Sequence, residues 1–119
     1  MTQLLNDPGN ISNQLDRLIS ELGIPGAAFT NLDAVTTHDS TGLILVQELK
    51  HGNEKVSAGQ WRTLRLLSKL PGVTVWVVRF WDADIITVQV VPQSEGAVMS
   101  PVQYQALFTA WWNGPTPPA

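Results

Sequence analysis

Residues 32–60, LDAVTTHDSTGLILVQELKHGNEKVSAGQ, decide how this chain folds. Asp39-Ser40-Thr41-Gly42 is a set of turn formers between two runs rich in β-branched and apolar residues, the pattern of a hairpin. Whether the hairpin closes over Ser40-Thr41 or over all four residues, 39 faces 42 and 38 faces 43. Carried outward, that register sets Asp33 opposite Glu48. Side chains alternate along a strand, so Lys50 shares the face of Glu48 and therefore of Asp33. Two carboxylates directly across a ladder repel each other and weaken a bare sheet. A cation between them, with an ammonium group beside them, removes that objection.

The second run, Leu43-Ile44-Leu45-Val46, is apolar on both faces, which predicts a central strand over about 43–51 covered on each side. The partner strand reads as about 28–38. Charged residues at the far end of so buried a strand require a partner, because an unpaired buried charge is very costly. A structural Glu48–Lys50 pair meets that requirement without Asp33. Three ionisable groups on one face fit a site better. After Gly52-Asn53-Glu54-Lys55 a helix is expected over about 57–70, capped by Ser57. Gln60, Leu64 and Leu67 fall on one face of it, so Gln60 points inward and needs hydrogen-bond partners. The strand-end carboxylates, water on a metal held by them, or a nearby backbone group would serve.

Pro71-Gly72 ends the helix, and two strands follow, over about 73–81 and 85–91, joined at Asp82-Ala83-Asp84. Val73, Val75 and Val77 line one face of the first; Thr74, Trp76, Val78 and Phe80 line the other. Asp82 and Asp84 read as turn residues and residues 92–100 as a loop. Pro101 opens a last helix to about Trp112, whose Leu107, Phe108, Trp111 and Trp112 cover the sheet. Trp111-Trp112 as a base-stacking or dimer surface is the alternative. Upstream, a helix is expected from Ser12 to Leu22, with Leu15, Leu18, Ile19 and Leu22 as its inward stripe and Asp16 and Glu21 on its flanks.

The chain of 119 residues is long enough for one core, and its 44% hydrophobic content is that of a globular protein. One domain is expected over residues 10–113, between a flexible lead at 1–9 and a disordered proline-rich tail at 114–119. No apolar run is long enough to span a membrane, the N-terminus does not read as a signal peptide, and there is no cysteine. A soluble cytoplasmic protein without thiolate metal sites is the resulting expectation. Net charge is −3, but residues 50–79 carry Lys50, Lys55, Arg62, Arg65, Lys69 and Arg79 against Glu54 alone. That segment is either a phosphate-gripping surface beside the carboxylates or an ordinary solvated helix face. Arg62, Arg65 and Lys69 share the helix face opposite Gln60, and Trp61 sits beside it as a partly exposed contact.

Asp33, then Glu48-Leu49-Lys50 at a strand end, then a helix bearing Gln60, resembles the PD-(D/E)XK nuclease superfamily. KVSAGQWRTLRLLSKLPGVTVWVVRF is similar to its VRR-NUC and phage junction-resolvase branch, where a Ser-x-x-Gln helix start and a Gly-led valine strand follow the Glu-x-Lys. The resemblance covers about residues 12–80. It implies an α/β, restriction-endonuclease-like αββαβ core with helices covering a mixed sheet. It also implies metal-dependent cleavage of DNA phosphodiesters, possible selectivity for branched substrates, and a homodimer. Asp33, Glu48 and the Leu49 backbone carbonyl would hold Mg²⁺ or Mn²⁺. Lys50 would hold or deprotonate the attacking water, Gln60 would support the site, and Lys55, Arg62, Arg65 and Lys69 would contact DNA. Asn31-Leu32 stands where the family name places a proline. The early helix glutamate of many relatives is replaced by Ser12-Asn13-Gln14, leaving Glu21 as the later candidate for a further ligand. The same fold without turnover, as a nucleic-acid- or protein-binding module, is the alternative.

Overall fold

The computed structural model describes residues 14, 17, 18, 21–23 and 32–114. The chain divides into two compact units, Met1–Asn31 and Leu32–Ala119. In the first, residues 14, 17, 18 and 21 are helical, as expected. Leu18 and Leu22 are exposed, however, and do not form the inward stripe read from the sequence. Leu22 already lies in the turn that follows the helix. Leu15, Asp16 and Ile19, the lead at 1–9, the first part of the expected strand at 28–31 and the tail at 115–119 lie outside the described residues.

The second unit is a five-stranded mixed sheet with two helices. In chain order it runs β1 (Ala34–Thr37), β2 (Ile44–His51), α1 (Ala58–Ser68), β3 (Val73–Phe80), β4 (Ile86–Val90), β5 (Ala97–Met99) and α2 (Pro101–Asn113). Strand order follows the sequence, β1-β2-β3-β4-β5, with β2 and β3 parallel and the other neighbours antiparallel. The parallel pair requires a crossover, and α1 supplies it. Among the described residues no helix is long and apolar enough to cross a membrane.

The first hairpin closes as its turn chemistry dictates. The amide of Gly42 donates to the His38 carbonyl at 2.8 Å and that of His38 to the Leu43 carbonyl at 2.8 Å. Gly42 has φ 74°, where a side chain would be strained. Ala34 then pairs with Gln47 and Thr37 with Ile44, which is the register read from the turn.

The sheet buries a core on each face. Leu45, Trp76, Val78, Ile86 and Val88 form one cluster, covered by Tyr104, Leu107, Phe108 and Trp111 of α2. Val46, Val75, Val77 and Val91 form the other with Leu64 of α1, joined by Trp61 and Leu67. The apolar run of β2 is therefore enclosed from both sides. Two expectations are corrected here. Residues 92–100 contain β5, a three-residue edge strand paired with β4. Gly96 lets it approach, since a Cβ there would meet the Thr87 methyl at 3.1 Å. Trp112 does not join the core: it is 42% exposed, and its ring lies 4.1 Å from that of His38. Tyr104, one turn earlier than Leu107, takes the covering position instead.

Candidate active site

The even-numbered residues of β2 face α1. Glu48 and Lys50 continue the row begun by Ile44 and Val46 toward the C-terminal end of the strand. Both are buried, Glu48 at 2% and Lys50 at 9% exposure. β1 begins at Ala34, and Asp33, just before it, carries the same register to the position opposite Glu48. There its Oδ2 accepts a hydrogen bond from the Leu49 amide at 2.9 Å. The Asp33 side chain thus replaces a ladder partner that β1 no longer supplies. A strand residue's N–H and C=O point to the same edge, so the Leu49 carbonyl also faces the Asp33 side.

Helix α1 delivers the fourth group. Ser57 is its N-cap, accepting from the Gln60 amide at 3.1 Å, and the Gln60 Oε1 accepts from the Ser57 amide at 3.1 Å. This is a complete capping box. The same Oε1 accepts from Lys50 Nζ at 3.3 Å, while Gln60 Nε2 donates to Glu48 Oε1 at 3.0 Å. Lys50 Nζ stands 3.5 Å from that same Glu48 oxygen. Of the partners the sequence offered for Gln60, a carboxylate and a backbone group are both taken. Lys50 is a third.

The other Glu48 oxygen, Oε2, is buried and has no hydrogen-bond partner. Burial, then the neighbouring Asp33 carboxylate, raise the Glu48 pKa above the ordinary carboxylate range; Lys50 offsets part of this. An unpaired buried carboxylate oxygen costs on the order of 1–3 kcal/mol or more. A proton or a cation at Oε2 removes that cost.

Among the described residues no three His, Cys, Asp or Glu side chains gather as a metal site. The donor set is two carboxylates and a backbone carbonyl. All are hard oxygens, and Mg²⁺ is commonly held by one or two carboxylates with waters and substrate phosphate completing its shell. The residues present therefore fit Mg²⁺ or Mn²⁺. They do not fit a structural zinc site, which needs four closed ligands.

The remaining residues named from the sequence are placed as follows. Lys55, Arg62, Arg65 and Lys69 are exposed, with the last three on or at the end of α1. Glu21 is an exposed helical residue of the first unit. Asp82 is a turn residue, its Oδ1 accepting from the amides of Asp84 and Ile85 at 2.7 and 2.9 Å. Two residues with a bearing on the site were not singled out from the sequence. Ser57, read as a cap and as the first residue of the Ser-x-x-Gln helix start but not as a site residue, positions Gln60. Arg79, paired with Lys50 across the parallel ladder, fixes the next loop by donating to the carbonyls of Gly52 and Glu54. Its signal was present in the basic segment, but its place beside Lys50 depends on the crossover register.

Comparison with protein-family models, curated proteins and solved structures gives no match for this chain.

Proposed function

We propose that the chain is a metal-dependent endonuclease that hydrolyses DNA phosphodiester bonds. The observation carrying this reading is the buried Glu48 Oε2, without a hydrogen-bond partner, in a carboxyl group that lies beside Asp33 and has a lysine fixed on its other oxygen. Asp33, Glu48 Oε2 and the Leu49 carbonyl would hold the ion. When bound, a divalent ion polarises the phosphoryl oxygen and makes its water more acidic. Lys50, buried and oriented by Gln60 and Glu48, holds the attacking water and offsets negative charge growing on the phosphate. Gln60 fixes the carboxylate and the ammonium relative to each other, and its own rotamer is locked by the helix cap. The exposed cations Lys55, Arg62, Arg65 and Lys69 support a polyanionic substrate. One unit of this size covers little duplex, so the reading includes a homodimer presenting two sites to branched DNA. It also goes with a cytoplasmic location, where cellular or phage DNA is processed.

The test is a cleavage panel of four-way junctions, flaps, duplex and single strands, with and without Mg²⁺ or Mn²⁺. Cleavage that needs the ion and disappears in Lys50→Ala with folding intact is the expected result. Substrates retarded on a gel but uncut under every divalent ion would replace this reading with a second one, a nucleic-acid-binding module on the same fold. The presence of only two clustered acids among the described residues is what favours that second reading.

A further inference from the structure

Beyond the carboxylates, the same sheet face continues with aromatic and cationic groups. Lys50 pairs with Arg79 across the β2–β3 ladder and Arg79 with Thr87 across β3–β4, so all three side chains share the α1 face. Trp81, two residues past Arg79, returns to that face and donates its indole N–H to the Thr87 hydroxyl. Strand spacings put its backbone about 8 Å from that of Lys50. Here a groove of about 400 Å³ is lined by Asn53, Lys55, Val56, Trp61, Arg79 and Trp81.

Trp81 is 51% exposed, yet its ring is held in place. Its only polar atom is already bonded, and the ring lies over Gly52, where a Cβ would touch it at 3.6 Å. Among the described residues no aromatic ring stacks on it. Two cations, Lys55 and Arg79, line the groove with it, while the carboxylate of Asp82, next in the chain, is turned to the amides of Asp84 and Ile85. Arg79 pins the loop that carries Lys55 and leaves its own charge at the groove. The acid of that loop, Glu54, directs a carboxylate oxygen to the His51 amide at 3.1 Å. Beyond Trp61 a second groove carries Arg62 and Arg65.

We infer that this groove is a subsite for an unpaired nucleotide next to the scissile phosphate: its base stacks on Trp81 and its phosphate lies against Lys55 and Arg79. A fixed half-exposed indole flanked by cations is how proteins hold single strands, and it has little use for a base already stacked in a duplex. The substrate is thereby narrowed to nucleic acid with a single-stranded or frayed segment at the cut. This narrowing rests on the nuclease reading, whereas the binding itself does not.

The experiment measures anisotropy of labelled oligothymidylate and of a matched duplex in EDTA, so that no cleavage intervenes. Trp81→Ala should weaken single-strand binding about tenfold, as loss of one stacked base does. Trp81→Phe should retain most of it. Lys55→Ala should reduce the salt dependence by about 0.7 of a unit slope. Equal binding by wild type and Trp81→Ala, with Lys55→Ala also unchanged, overturns the subsite, as does an equal loss on duplex. Cleavage that proceeds regardless of Trp81 would leave the nuclease reading standing and sink this one. Trp81-dependent binding without cleavage under any ion would do the reverse.

Discussion

Gln47 and Glu48 are neighbours on one strand, both polar and both nearly inaccessible, at 6% and 2% exposure. They face opposite layers and are treated in opposite ways. Gln47 meets the Tyr104 hydroxyl, which donates to its Oε1, and burial raises the tyrosine's pKa so that the donor stays neutral. That pair is uncharged, hydrogen-bonded and surrounded by the α2 core. Glu48 meets a lysine, a glutamine and a second carboxylate, and one of its oxygens is left without a partner. Burying a polar group is routine when it is satisfied. Burying a charged group half-satisfied, beside a like charge, leaves a cost that a proton or a cation at Oε2 removes.

The comparison can be broken most decisively at Lys50. Lys50→Ala should lower divalent-dependent cleavage by about 10²–10³-fold, as removal of a preorganised charge at a reacting phosphate does. Circular dichroism should show the fold retained. Asp33→Asn comes next: the Asn Oδ1 can still accept the Leu49 amide, so thermal stability without metal should not fall. Calorimetric titration with Mn²⁺ should then lose its heat, and a titration unchanged by the substitution would remove the metal site.

On the other face the expected cost is in stability. Tyr104→Phe leaves Gln47 Oε1 buried without its donor and should cost roughly 1–2 kcal/mol in denaturant melts. Cleavage per folded molecule should be unaltered. A large loss of activity there would mean that the two faces are not separable.

The smallest effect is on pH. Because the folded-state pKa of Glu48 lies above its unfolded value, its favourable contribution is fully present below the unfolded carboxylate range. That contribution is lost as pH rises through the folded pKa. Metal-free thermal melts should therefore show a loss of stability across that window that Mg²⁺ reverses. Glu48→Gln, which places an amide donor where Oε2 lacks one, should flatten the profile. A slope surviving that substitution would assign the pH response to other groups.

Much of this was legible in residues 32–60. A four-residue turn fixes register, register fixes the facing of Asp33 and Glu48, and a two-faced apolar run marks the central strand of a mixed sheet. What stayed hidden depends on non-local partners. A strand as short as Ala97–Met99 has no periodicity to read, and only its pairing to β4 defines it. Helix α2 is apolar nearly all round, so the choice between Tyr104 and Trp112 as the covering residue was set by the sheet it rests on. Arg79 looked like one more cation until the parallel ladder placed it beside Lys50.

The box at the start of α1 has one more consequence. Gln60 begins the helix and also clasps the ammonium and carboxylate of β2, so residues 52–56 act as a spacer of set length between the two. Removing one residue there would set the helix cap and the contacts of Gln60 to Lys50 and Glu48 against one another, since all of them use the same side chain. Tolerance of the rest of the surface to deletions should therefore end abruptly at this connection.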